Sequence, residues 1–316
     1  MRALLEVAGR DPSRVVASDL GFAAGPRLNA AGRLEDMSIG IRCLLTDNDQ
    51  EAAQLAAELD ALNRQRREIE QSMEQEALAG LEQALQSIGG EPPPALCVYD
   101  THWHQGVVGI VASRLKERFH RPTVVFAPDG DGQLKGSGRS IPALHLRDAL
   151  ERVHSLNPGL ISRFGGHSAA AGLTLPADSL ERFRTAFEDV VRDWVPDHEL
   201  EGELLTDGGL EARDLQLELA RELRAGGPWG QGFAEPCFDN LFEVQASRIV
   251  GERHLKLNLR HLDGTQPLDA IAFRAVDAGW DNNLPRRIRA VYRLDINTWR
   301  GNSRPQLIIE HLEPAT

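Results

Sequence analysis

The sequence predicts an α/β plus β chain: a long connector helix, a small α/β domain, then a small β-barrel. Three observations predict it. From Asp47 to Ser87 apolar residues recur at three- and four-residue spacing, through Leu55, Leu59, Leu62, Ile69, Met73, Ala77 and Leu81, with no proline and a single glycine. From Ala95 to Val195 extended and helical stretches alternate, the pattern of a sheet with helices packed on it. Beyond Leu200 the pattern changes to five short β-rich segments separated by turn residues, which suits a barrel.

Residues 1–45 are punctuated by Gly21, Gly25, Pro26 and Gly32 and have too few apolar positions to close a core, so they read as the tail of something larger. Residues 46–90 form the connector. Thr46 or Asp47 can cap its start, and Gly89-Gly90-Glu91-Pro92-Pro93-Pro94 stops it. Roughly forty residues at 1.5 Å each span about 60 Å, more than a compact domain needs; a coiled-coil partner helix is the alternative reading. In 91–200, the segments Ala95 to Tyr99, Thr123 to Ala127 and Leu134 to Ile141 read as extended. Gln105 to Phe119, Leu144 to Val153 and Leu180 to Val195 read as helical, the last capped by Asp178. Asp129-Gly130-Asp131-Gly132 lacks the other ligands of a calcium loop and reads as a hairpin turn. In 201–316 the strands fall near Phe238 to Ile249, His254 to His261, Leu268 to Phe273, Arg289 to Asn297 and Gln306 to His311.

Net charge is 35 − 47 = −12, which at face value argues against a polyanionic ligand. The distribution softens this. Asp178 to Glu218 holds thirteen acidic and four basic residues, whereas 104–163 carries nine Lys or Arg against five Asp or Glu, and 286–304 carries six Arg against Asp295 alone. A positive groove is thus permitted. Cys43, Cys97 and Cys237 are odd in number and far apart, which suggests neither disulfides nor a structural zinc and fits a reducing cytoplasm. No window approaches the apolar length of a membrane span.

Four stretches carry candidate chemistry. In Lys135-Gly136-Ser137-Gly138-Arg139 a strand points Ser137 and Arg139 to one face, and a hydroxyl beside a guanidinium is a good phosphate clamp, with the flanking glycines letting a ligand approach the backbone. A glycine-rich edge strand with one solvated arginine is the alternative. In Phe164-Gly165-Gly166-His167-Ser168-Ala169-Ala170-Ala171-Gly172 the small residues can begin a helix whose amides face an anion, with His167 donating to the same phosphate. His102-Trp103-His104-Gln105 ends a strand; the His-x-His spacing has no third ligand for zinc, and Trp103 reads as a base-stacking or a core residue. The barrel offers Arg253, His254 and Lys256 on one strand and Trp299 with Arg300 near its last turn, a set suited to single strands.

Taken in order, these stretches resemble the RecJ family of single-strand-specific exonucleases in the DHH phosphoesterase superfamily. Gly25-Pro26-Arg27-Leu28-Asn29-Ala30-Ala31-Gly32-Arg33-Leu34 resembles the end of the family's metal-binding domain. Trp103 to Ile110, Gly136 to Ile141 and Phe164 to Gly172 resemble the runs of its DHH-associated domain. Gly227-Pro228-Trp229-Gly230 and Val250 to Lys256 resemble its OB-fold entry. The resemblance implies an OB-like barrel, stepwise 5′-to-3′ removal of nucleotides from single-stranded DNA in recombination and repair, and two divalent cations, Mn2+ or Mg2+, in the intact enzyme. It implies that Ser137 and Arg139 hold a phosphate, that Gly165, Gly166 and His167 face the scissile region, and that Arg27 or Arg33 contacts the terminal phosphate. Trp103, His104, Gln105, Lys135, Arg253, Lys256 and Arg300 are candidate nucleic-acid contacts, and the single-strand-binding protein is a candidate partner. The family's Asp-His-His motif occurs nowhere here, so the chain reads as starting too late to hydrolyse DNA by itself. The alternatives are a free-standing single-strand-binding module, or a relative acting on short RNA or cyclic dinucleotides.

Overall fold

The computed structural model describes residues 1–87, 92–230, 232–276, 279–281, 283–299 and 301–315. The chain divides into two compact units, Met1–Gly202 and Glu203–Thr316. The first is organised around one long helix, α5 (Asp49–Ser87), which realises the predicted connector. Its start is held by Asn48, whose Oδ1 accepts from the N–H groups of Gln50 at 2.9 Å and Glu51 at 3.1 Å. Neither expected cap, Thr46 or Asp47, does this; the Thr46 hydroxyl bonds Glu51 and accepts from the Asn48 N–H. The predicted stop at Gly89-Gly90-Glu91 lies outside the described residues.

Residues 1–45 do close a core, contrary to expectation. Helices α1 (Arg2–Val7), α2 (Ala17–Asp19), α3 (Gly25–Leu34) and α4 (Ser38–Leu45) precede α5, with a π turn over Leu20–Ala24 joining α2 to α3. Leu4, Ala24, Ala31 and Cys43 bury themselves against Leu55, Ala56 and Leu59 of α5. The segment carries few apolar residues because the long helix supplies the other half of the cluster.

The α/β domain holds β1 (Leu96–Tyr99), α6 (Val108–Phe119), β2 (Thr123–Pro128), β3 (Gln133–Arg139), α7 (Leu146–Leu156), β4 (Arg163–Gly166), β5 (Ala170–Pro176) and α8 (Leu180–Trp194). The sheet order is β1-β2-β3-β5-β4. Only the β1–β2 pair is parallel. On one face Val125 and Ala127 pack with Val111 and Leu115 of α6 and Met73 and Ala77 of α5. On the other, Val124, Phe126, Leu134 and Leu173 pack with Leu150 of α7 and Phe183 and Phe187 of α8. Successive strand residues alternate between the two cores, as the pleat requires.

Two local expectations fail here. Gly165 to Gly172 is a β-hairpin, with Gly165 opposite Gly172 and Gly166 opposite Ala171, and starts no helix. Gly166 has φ of +150° and a Cβ there would strike Ala170 and Ala171, so glycine is required at this turn. Asp178 does not cap α8; the cap position is Ser179, and Asp178 Oδ1 accepts from the Ser179 hydroxyl. The Asp129 to Gly132 turn joins β2 to β3 as expected, closed by Gln133 N–H donating to Gly130 O at 2.8 Å.

In the second unit, α9 (Leu217–Gly226) precedes a closed barrel of β6 (Phe238–Val250), β7 (His254–His261), β8 (Pro267–Ala272), β9 (Arg287–Trp299) and β10 (Asn302–Pro314), in the order β10-β8-β7-β6-β9. Leu255, Leu257 and Leu259 point inward to Phe242 and Tyr292, while Lys256, Asn258 and Arg260 point out. Three arginines of the run 286–304 have acidic neighbours. Arg286 faces Glu243, Arg289 faces Asp239, and Arg293 sits between Glu235 and Glu310. Among the described residues no helix is long and apolar enough to cross a membrane.

Candidate nucleic-acid interface

The pleat sends Lys135, Ser137 and Arg139 to the α6 face of the sheet and Leu134, Gly136 and Gly138 to the opposite core. The two glycines flanking Ser137 therefore serve packing: a Cβ on Gly136 would meet the Phe126 ring and one on Gly138 the Leu146 side chain. Arg139 Nη1 donates to Ser137 Oγ at 3.1 Å and to Gly138 O at 2.8 Å, so the guanidinium and the hydroxyl form one hydrogen-bonded pair. That pair lies against the first turn of α6. A Cβ on Gly109 would stand 2.8 Å from Arg139 Nη2 and 2.9 Å from Ser137 Oγ, a closeness only glycine permits. No side chain caps that turn, so its positive end faces the same place.

A second guanidinium approaches from α3. Arg33 Nη1 donates to Gly106 O at 3.1 Å, and the Arg33 carbonyl occupies the space a Cβ on Gly106 would need, which pins the end of α3 to the loop before α6. Burial, and then the neighbouring charge of Arg33, pull the Arg139 guanidinium below its ordinary pKa. No carboxylate partners Arg33 or Arg139 among the described residues. Two like charges held together without a counter-ion, beside a helix amino terminus and a hydroxyl, form a place shaped for an anion.

The other candidates fall into three groups. Lys135 Nζ donates to Gln105 Oε1 at 3.1 Å, and His104 Nδ1 accepts from the Gly106 N–H at 3.1 Å, so these bonds order the loop before α6 and tie it to β3. Gly165 and His167 are exposed on the hairpin alongside. Arg27 is elsewhere: its guanidinium is paired with Asp60 at 2.8 Å and with Ala23 O, tying α3 to α5, and only Arg33 of the two reaches the clamp. Trp103 is 7% exposed, packs with Val107 and Val111, and donates its indole N–H to Glu76 at 2.8 Å. Its ring is core, and no stacking platform. His102 pairs with Asp100 at 3.0 Å in solvent; its backbone N–H is the main reason the Asp100 carboxyl sits below its usual range.

On the barrel, Lys256 lies directly opposite Arg248, a like-charged cross-strand pair on the outer face. His254 Nδ1 accepts from the Arg274 N–H at 2.9 Å and its ring meets the exposed ring of Phe273 edge-on. Arg253 is half-buried in the turn before β7. Arg300 and the Trp299 side chain lie outside the described residues.

Two residues near the clamp, Arg163 and Thr174, carried no signal of their own in the sequence. The strand register puts them there: Arg163 is opposite Thr174, which is opposite Lys135, and Gly165 is opposite Gly172, which is opposite Ser137. The three strands meet only in the folded sheet.

Fold and site together define a chain in which an α/β domain carrying the Arg139–Ser137 pair is followed by an OB barrel. Residues 93–193 match the DHHA1 domain family and residues 206–311 match the RecJ OB domain family. The chain belongs to the RecJ family. It is 52% identical over 314 residues to the single-stranded-DNA-specific exonucleases RecJ of Salmonella typhimurium and of Escherichia coli, covering 99% of this chain and 54% of each relative. The chain thus spans about half the length of these relatives. Crystal structures of RecJ from Thermus thermophilus in complex with Mg2+ and with Mn2+ superpose over 100% of this chain, with a TM-score of 0.77 and 29% identity, and this chain covers 46% and 44% of them. Here, no group of three or more His, Cys, Asp or Glu is placed to hold a metal ion among the described residues, so these side chains do not fit a divalent cation.

Proposed function

We propose that this chain grips the backbone of single-stranded DNA for a RecJ-type exonuclease that removes nucleotides from the 5′ end in recombination and repair, in the cytoplasm. The supporting observation is the Arg139–Ser137 pair, locked against the α6 amino terminus with Arg33 beside it and no carboxylate to neutralise it among the described residues. In this reading the pair holds a terminal phosphate and Gly165, Gly166 and His167 lie along the strand, while on the barrel Lys256 of β7 and Arg253 of the turn before it are separate nucleic-acid contacts. A single-strand-binding protein is the partner that would present such a substrate. Cleavage needs metal ligands supplied from outside residues 1–316, because this sequence contains no Asp-His-His.

The test incubates the purified chain with a 5′-phosphorylated single-stranded oligodeoxynucleotide and Mn2+. Binding without degradation is expected. Robust degradation would overturn the claim that cleavage needs further residues, and preference for a cyclic dinucleotide over the oligonucleotide would move the assignment to the other branch of the superfamily.

A further inference from the structure

Gly165 and Gly172 face each other across the β4–β5 ladder on the surface of the sheet. Neither has a positive φ. A Cβ on Gly165 would meet nothing within 4 Å, and one on Gly172 would meet only Gly136 O at 3.8 Å. The fold therefore has room for side chains at both positions and carries none. Around this bare strip lies a shallow depression of about 310 Å³, whose far side is the row Lys135, Thr174 and Arg163. Arg163 is exposed and has no acidic partner among the described residues.

The sheet thus presents three parallel rows on one face. Arg139 stands in the first, Ser137 with the two glycines in the second, and Lys135 with Thr174 and Arg163 in the third. Rows two residues apart are separated by about 6.6 Å, so the outer rows stand about 13 Å apart. Less the reach of two long cationic side chains, that distance spans one to two steps of a nucleic-acid backbone. The arrangement is cation, bare peptide, cation, and the bare strip is where a sugar and base can lie flat between two phosphates.

We infer that Lys135, Thr174 and Arg163 form a second phosphate subsite, which takes the second or third phosphate of a strand whose first phosphate sits on Arg139 and Ser137. This rests on the proposed function of the clamp. The subsite makes the domain a reader of strand length: a mononucleotide touches the clamp only, and a di- or trinucleotide touches both rows.

The experiment measures affinities of the full chain for a 5′-mononucleotide and for a 5′-phosphorylated trinucleotide, in wild type, Arg163→Ala, Gly172→Val and Arg139→Ala. Arg163→Ala is expected to weaken the trinucleotide about tenfold, the effect of one lost charge-assisted contact at a solvated site, and to leave the mononucleotide within about twofold. Gly172→Val should do likewise with an unchanged melting temperature. Trinucleotide affinity unchanged by Arg163→Ala, while Arg139→Ala weakens both ligands, would overturn the subsite and leave the clamp standing. No effect of Arg139→Ala on either ligand would overturn the clamp and, with it, this inference.

Discussion

Replacing Gly109 with alanine separates the stability of the fold from its grip on an anion. The added methyl would stand 2.8 Å from Arg139 Nη2 and 2.9 Å from Ser137 Oγ, where relaxed contacts between heavy atoms need about 3.5 Å. Both obstacles are ends of flexible side chains, so the clamp moves and the helix does not. Alanine is favoured over glycine in a helix by up to about 1 kcal/mol, and less in the first turn, so stability should hold or rise slightly. Displacing a charge-assisted hydrogen bond worth about 1.5–3 kcal/mol by most of an ångström forfeits much of it, and Kd for a 5′-phosphorylated strand should rise about tenfold. Fluorescence anisotropy with a labelled oligodeoxynucleotide and thermal melting on the same sample read both quantities. Unchanged affinity at unchanged stability would refute the placement of the ligand, and a sharp fall in melting temperature would refute the packing argument.

Three further outcomes follow from the same geometry. Trp103→Phe removes the indole bond to Glu76 and should lower stability by about 1–2 kcal/mol without changing single-strand affinity; weaker binding at full stability would restore a stacking role. Arg27→Ala should destabilise the packing of α3 on α5, where it pairs with Asp60, and leave affinity intact, whereas Arg33→Ala should do the reverse; melting and binding curves for the two variants decide. The logarithm of the affinity should fall linearly with the logarithm of salt concentration at a slope of about −1.4 or steeper, two phosphates at about 0.7 each for a single strand, and a flat line would count against contact with the backbone.

What was legible in the sequence was what is written in local periodicity. The three-four spacing of α5 and the alternation of Leu255, Leu257 and Leu259 in β7 each depend on one element alone. Ser137 and Arg139 were legible as a pair for the same reason, since a strand fixes their common face. Arg27 and Arg33 were distinguishable in principle: six residues put them about 120° apart around α3, too far to share one ligand. The core of residues 1–45 was hidden because Leu4, Ala31 and Cys43 complete it only with residues of α5. The Gly165 hairpin was misread because a run of small residues has no β-branched side chain to declare a strand. Arg163 stayed invisible until the register of three strands set it beside Lys135.

The central claim is that Arg139 and Ser137 hold a backbone phosphate, and the most direct measurement is the affinity of the chain for a 5′-phosphorylated single strand with both side chains cut back to alanine. A loss of at least about tenfold is expected, reduced in high salt, with the melting temperature unchanged within a few degrees. Equal affinity of wild type and the double variant at low salt would contradict it.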